Sequence, residues 1–263
     1  MKFSIITATY NREKTIKRSI ESTQEQTYKN IELLIIDGIS TDKTTSIIQP
    51  LLSEDDYFIS EKDGGIYDAL NKGLKISNGD IIGFMHSDDC FFDKNVIAEV
   101  ASLFKKTNAD IVYGDAIFFN EVNFNKITRY YKSDELSSRN LAWGKMPAHT
   151  AMFIKKSVYK KHGYFKTNYK ICADYEFLCR ISKKDSLKSV YVSRPFVKMQ
   201  TGGISTGGIR NTIILNREVI RACLENNIYT NLFMVLSKYP SKILQYLKTR
   251  NNWIYELSII NWT

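Results

Sequence analysis

The stretch from Glu61 to Cys90, EKDGGIYDALNKGLKISNGDIIGFMHSDDC, passes from a helical apolar pattern into a continuous apolar run that ends in two adjacent carboxylates. Tyr67, Leu70 and Leu74 recur at helical spacing, and Ala69 and Gly73 are small enough for close packing on the same side. Gly79 stands where a helix stop is expected. Ile81 to Met85 then form an apolar run of strand length, followed by His86, Ser87, Asp88 and Asp89. A strand this uniformly apolar belongs inside a sheet covered on both faces. The carboxyl ends of such strands open on the crevice where α/β sheets bind ligands.

Two neighbouring acids repel each other, and keeping both charged in a water-poor crevice is costly unless a cation neutralises them. Hard divalent cations of the magnesium or manganese type take carboxylate oxygens and keep positions open for water and substrate phosphate. An Asp-Asp pair by itself is more often a solvated turn after a strand, so its context has to decide.

At 263 residues the chain can bury the core of one extended α/β domain, or of one domain with a C-terminal appendage. Its four cysteines, Cys90, Cys172, Cys179 and Cys223, are scattered without zinc-like spacing, which fits buried small side chains in a reducing cytosol. The start, MKFSIITATYN, has too short an apolar run for a signal peptide and reads as a first strand. No stretch approaches the ~18 consecutive apolar residues of a membrane span. The net charge of +9 points to an anionic partner, either nucleotide phosphate, anionic lipid or nucleic acid. Nucleic acid is the weakest of these, because zinc-finger spacing and an aromatic RNA-binding signature are both missing.

Phe3 to Thr9 is a first apolar strand, and Asn11 is a candidate cap for a helix carrying Ile16 and Ile20 on one face. Ile31 to Ile36 is a buried parallel strand ending in Asp37-Gly38. Ser40, Thr41, Asp42 and Thr44 offer caps for a short helix stopped near Pro50, and Tyr57 to Ser60 is a third strand. This alternation predicts a doubly wound sheet with right-handed crossovers. Val96, Ile97, Val100, Leu103 and Phe104 mark another amphipathic helix. Ile111 to Tyr113, Ala116 to Phe119 and Ile127 to Tyr131 follow as strands without helices between them, so the second half takes on antiparallel character. Ser133 to Pro147 is an ordered loop or short helix, and His149 opens the apolar run AMFI. Asp174 falls near the start of a helix whose buried side is Phe177, Leu178 and Ile181, a position that also suits a plain N-cap. Gln200 to Gly208, QTGGISTGG, is a phosphate-approaching turn or a mobile lid. From Ile209 the pattern is helical, with seven Lys/Arg against three Asp/Glu and with Trp253, Tyr255 and Trp262. That composition fits a membrane-surface segment or a helical pair packed on the domain with a solvated basic face.

Thr7 to Asn11, IDGISTDKT, EKDGGIYDALNKG, HSDD and ICADYEFLCRIS succeed one another over roughly residues 1 to 208. In these motifs the chain resembles the family-2 glycosyltransferases of the GT-A fold, most of all the bacterial branch that builds surface polysaccharides. The resemblance implies an α/β fold with a Rossmann-like, mostly parallel central sheet flanked by helices. It divides the chain into a nucleotide-sugar-binding front of about 1–115, an acceptor and catalytic back of about 116–208, and a basic helical extension, 209–263. By position it implies that Thr7, Ala8 and Tyr10 hold the base and ribose of the donor, that Asp37 contacts the nucleoside, and that Asp63 and Asn71 line the donor pocket. Asp88 and Asp89 match the Asp-x-Asp-type element, the later acid meeting a Mn²⁺ or Mg²⁺ that holds the diphosphate, and Asp174 matches the catalytic base. Two departures stand out: Gly38 replaces a second acid, and His86 stands where Asn is common.

The resulting expectation is an inverting, metal-dependent glycosyltransferase that moves a sugar from a nucleotide donor, UDP above all, to a glycan or lipid-linked acceptor. It is expected in the cytoplasm against the inner face of the membrane, with residues 209–263 touching anionic lipid and no nucleic-acid partner. A sugar nucleotidyltransferase would want a glycine-rich basic loop near the first strand, where this chain has Asn11-Arg12-Glu13. A non-catalytic binding subunit would tolerate loss of Asp174 or of the acid pair, and both are present.

Overall fold

A computed structural model provides the structure of the protein and describes residues 1–120, 123–183, 187–202 and 208–240. Residues 203–207 of the glycine-rich turn, and Trp253, Tyr255 and Trp262 of the basic tail, lie outside the described residues.

The front of the sheet is parallel. Strand β1 (Phe3–Thr9) lies between β2 (Ile31–Asp37) and β4 (Ile81–Phe84), and β3 (Tyr57–Ser60) flanks β2. Their register pairs Thr9 with Asp37 and Ile6 with Phe84, so the carboxyl ends open together on one side. Strand period sends Ile5, Leu33 and Ile35 to one face and Ile6 and Leu34 to the other, and each face buries a separate apolar cluster. This is why these strands read as continuous apolar runs.

The back is mixed. Strands β5 (Cys90–Phe91), β6 (Ile111–Asn120), β7 (Asn123–Tyr131), β8 (Met152–Lys155) and β9 (Ser189–Gln200) complete the order β3-β2-β1-β4-β8-β6-β9-β5, with β7 paired to β6. β8 runs antiparallel to β4 and β6, whereas β6 and β9 are parallel. The two short strands expected between Ile111 and Phe119 are one strand. Its register against β9 shifts around Asp115, and a Cβ on Gly114 would meet Phe196 Cγ at 2.7 Å.

Helices α1 (Ile16–Gln24), α2 (Thr44–Ile48) and α4 (Val96–Thr107) follow their predicted patterns. Asn11 is not the cap of α1, which Thr15 precedes. Asn11 sits instead in the left-handed region at φ 51°, which asparagine tolerates, and its side-chain oxygen accepts from Thr41 N at 2.8 Å. Helix α3 (Ile66–Ile76) buries Tyr67, Leu70 and Leu74, each fully buried side chain worth about 1.5–3 kcal/mol. It ends at Ser77, before Gly79. Gly79 answers a different need: its N–H donates to Ser4 Oγ at 2.8 Å, and a Cβ there would lie 2.6 Å from Ser4 N.

Three short helices, α5 (Ser138–Ala142), α6 (Lys156–His162) and α7 (Ala173–Ser182), cover the back. Helix α8 (Gly208–Glu225) packs on α7, and α9 (Leu232–Leu236) packs on α8. Val219, Ala222, Cys223, Ile228 and Val235 join the same apolar cluster as Ile6 and Leu34. Residues 209–240 therefore contribute to that core. All four cysteines are free and buried. Among the described residues, no helix is long and apolar enough to cross a membrane.

Candidate active site

Three residues meet at the carboxyl ends of β1 and β2. A Cβ on Gly38 would lie 2.7 Å from Asp63 Oδ2 and 3.6 Å from Tyr10 Cδ2, so the bare glycine makes room for the Asp63 carboxylate beside the exposed Tyr10 ring. Asp63 Oδ1 accepts from Gly65 N at 2.9 Å. Thr7 is buried in β1, and Ala8 packs against the cluster beneath. Asp37 is fully buried, and its oxygens accept from Ser40 N at 2.9 Å, from Ser60 Oγ at 2.6 Å and from Ser40 Oγ. It ties the loop after β2 to β3. Asn71 clasps a backbone: its amide donates to Phe165 O at 2.8 Å and accepts from Phe165 N at 3.0 Å.

The acid pair sits in the turn between β4 and β5. Helix α1 holds this turn through Ser19 Oγ, which donates to His86 O at 3.0 Å, and through Arg18, which donates to Asp88 O at 2.8 Å and to Gln200 Oε1 at 2.9 Å. The two acids then diverge. Asp89 turns inward, its Oδ1 accepting from Gln200 N at 3.0 Å and its buried Oδ2 lacking a hydrogen-bond partner. Burial, with the charge of Asp88 added, pushes the Asp89 carboxyl well above the ordinary range. Asp88 stays half-buried, and its charge reaches His86, as does that of Asp174. Burial nonetheless lowers the His86 imidazole below its usual value.

Among the described residues, no group of three or more His, Cys, Asp or Glu gathers that could hold a metal unaided. The donor set still fits a hard cation. Asp88 and the unpartnered oxygen of Asp89 supply carboxylate oxygens, and a magnesium- or manganese-type ion takes the rest of its shell from water and phosphate.

Asp174 lies in the first turn of α7, and Cys172 occupies the cap position, so the plain N-cap reading does not hold. Its Oδ1 accepts from the Tyr67 hydroxyl at 3.0 Å, and its Oδ2 lies 3.4 Å from His149 Nδ1. His149 is wedged edge-on against Phe84, ring centroids 4.8 Å apart, and lies 6.3 Å from the His86 ring. Burial lowers its pKa against the opposing pull of Asp174, which favours the neutral imidazole. Phe84, Met146, His149, Phe165 and Phe177 line the small pocket under Asp174. Sequence reasoning missed Tyr67 and His149 as partners of Asp174. Tyr67 is indistinguishable from its apolar neighbours in the α3 stripe, and His149 stands 25 residues away in a separate apolar run.

A half-parallel α/β sheet with an acid pair in the turn just past β4 is the architecture of a GT-A glycosyltransferase. The chain belongs to glycosyl transferase family 2, whose model matches residues 4–163. A PGL/p-HBAD biosynthesis glycosyltransferase of Mycobacterium tuberculosis is 27% identical over 246 residues, covering 92% of both chains. An uncharacterized glycosyltransferase of the same species is 32% identical over 180 residues, 67% of each chain. Among solved structures, S. aureus TarS 1–349 in complex with UDP-GlcNAc superposes with a TM-score of 0.67 at 18% identity, covering 98% of this chain and 77% of that one. A mannosyltransferase of Pyrobaculum calidifontis in complex with GDP-Man and Mn²⁺ gives 0.59 at 16% identity, covering 95% and 75%. These likenesses agree on the fold. Family membership leaves the nucleotidyltransferase and the non-catalytic subunit without support.

Proposed function

We propose that this glycosyltransferase is inverting and metal-assisted, taking its sugar from a UDP-sugar and delivering it to a glycan or lipid-linked acceptor in cell-surface glycan synthesis. The carrying observation is the run of side chains that links the acid turn to Asp174: His86, two residues before Asp88, has its ring 6.3 Å from that of His149, whose Nδ1 lies 3.4 Å from Asp174 Oδ2, and the charges of Asp88 and Asp174 both reach His86. Single displacement needs a base on one side of the sugar carbon and charge stabilisation of the leaving diphosphate on the other. Asp88 and Asp89 would hold a divalent cation, which would supply the second as a Lewis acid.

The remaining work belongs to the chain. Tyr10 and Asp63 flank the nucleoside, with Thr7 and Ala8 beneath it. Arg18 holds the backbone of the acid turn, and Asp174 takes the acceptor hydroxyl's proton. A UDP donor and a Mn²⁺ ion are in keeping with the complexes of the TarS and mannosyltransferase neighbours. Tyr229, Leu232 and Phe233, exposed around the start of α9, support a peripheral membrane contact on the cytoplasmic side, where lipid-linked acceptors are presented.

Thermal shift against UDP, GDP, CMP and their sugars, with and without Mn²⁺, tests the donor. A ligand at 100 times its dissociation constant stabilises by about 2.7 kcal/mol. Proton NMR of the product then reads the anomeric configuration, and a retained configuration overturns the displacement.

A further inference from the structure

Asp174 is mounted on a segment that does not hold itself. Three consecutive backbone N–H groups, those of Lys170, Ile171 and Cys172, approach α7 without helical partners of their own. A single carboxylate takes all three: Glu218 Oε1 accepts from Lys170 N at 2.7 Å, and Oε2 accepts from Ile171 N at 2.9 Å and Cys172 N at 3.0 Å. Glu218 is 8% exposed, on the buried side of α8 with Val219 and Ala222. It is one of three acids among the 55 residues from Ile209 onward.

The clasp reaches the base through one proton. The Tyr67 hydroxyl has a single hydrogen and two acceptors, Ile171 O and Asp174 Oδ1, of which the Ile171 carbonyl is nearer. Where the Ile171 peptide sits therefore decides how much of that proton Asp174 receives. A carboxylate that receives more of it is a weaker base. Tyr67 on α3, His149 before β8, His86 after β4, Tyr131 of β7 and Cys172 just before α7 are, among the described residues, the titratable groups that feel the Asp174 charge.

We propose that Glu218 is a positioning residue for the glycosyl transfer, holding the 170–172 backbone so that Ile171 O keeps the larger share of the Tyr67 proton and Asp174 Oδ1 only the smaller. Helix α8 thereby completes the active site. The proposal rests on the reading of Asp174 as base.

The test is a pH–rate profile of nucleotide release, run with whichever of UDP-glucose, UDP-N-acetylglucosamine or GDP-mannose the enzyme turns over. Wild type, Glu218→Gln, Tyr67→Phe, the double variant and Asp174→Asn are compared. Glutamine has one acceptor oxygen and sets its NH₂ against a backbone N–H, which loosens the clasp. Glu218→Gln is expected to leave UDP affinity unchanged, to lower kcat by up to about tenfold, the worth of one hydrogen bond, and to move the acid limb to lower pH. Tyr67→Phe removes the shared proton and moves the limb the other way, and Glu218→Gln then adds nothing to it. Equal losses from Glu218→Gln in both backgrounds, or a wild-type limb and kcat, overturn the positioning role alone. Should Glu218→Gln not fold, the Tyr67→Phe limb decides, and an unmoved limb overturns the proposal. Near-wild-type turnover by Asp174→Asn overturns the base assignment and the proposal with it.

Discussion

The hydroxyl of Tyr67 lies 3.0 Å from Oδ1 of Asp174, a residue 107 positions further along the chain. The contact joins α3, which packs on β1 and β2, to α7, which carries the proposed base. Burial, with the charge of Asp174 added, holds the Tyr67 phenol well above its ordinary range, so it stays a proton donor.

Asp174→Asn is expected to leave the fold and UDP binding intact, since the side chain is partly exposed and caps no helix. Turnover should fall by roughly 10²–10⁴-fold, the span for losing a general base. Steady-state kinetics beside calorimetric UDP binding checks this, and a variant within a few-fold of wild type would falsify the assignment.

The acid pair divides into an open and a sealed member, and two variants separate them. Asp88→Asn should abolish the Mn²⁺-dependent part of UDP affinity. Asp89→Asn keeps an oxygen for Gln200 N but removes one of the two carboxylates offered to the cation, and should weaken Mn²⁺ binding without abolishing it. Titration calorimetry with and without EDTA reads both. The reverse ranking would restore Asp89 as the principal ligand.

His149 makes stability depend on pH with a definite sign. Burial depresses its folded pKa, so the unfolded chain takes up a proton near pH 6.5 that the folded chain refuses. Stability is therefore lost as pH falls through about 6.5, levelling off below the folded value. His86 acts in the same sense and Asp89 in the opposite one, so the comparison must be with a variant. The drop in melting temperature from pH 7.5 to 5.5 should be smaller in His149→Phe. Equal drops would show that His149 titrates normally.

Gly79→Ala should cost about 1–3 kcal/mol, the range for overpacking, because the new methyl meets the backbone of Ser4 at 2.6 Å and nothing there is free to turn aside. Urea denaturation gives the value. A cost under about 0.5 kcal/mol, as for an ordinary surface change, would mean that β1 yields at this point.

The parallel front of the sheet, helices α1 to α4 and the location of the acid pair were all legible in the residues, because each follows from local periodicity: uniform apolar runs, helical stripes, and acids at a strand's end. What Gly79 and Asn71 do was not legible. Both answer to a distant partner, Ser4 and the Phe165 backbone, and a local pattern carries no information about what lies 75 or 94 residues away. The division between Asp88 and Asp89 is of the same kind, settled when β9 brings Gln200 N beside one carboxylate and leaves the other half-buried. Glu218 reads from the sequence as one acid in a basic helix, and becomes a clasp on the segment before Asp174 once α8 packs against α7. Periodicity specifies which face of an element is buried. Which polar groups meet across that burial is decided only when the elements pack, since a buried donor or acceptor takes whatever partner the assembled fold brings within reach.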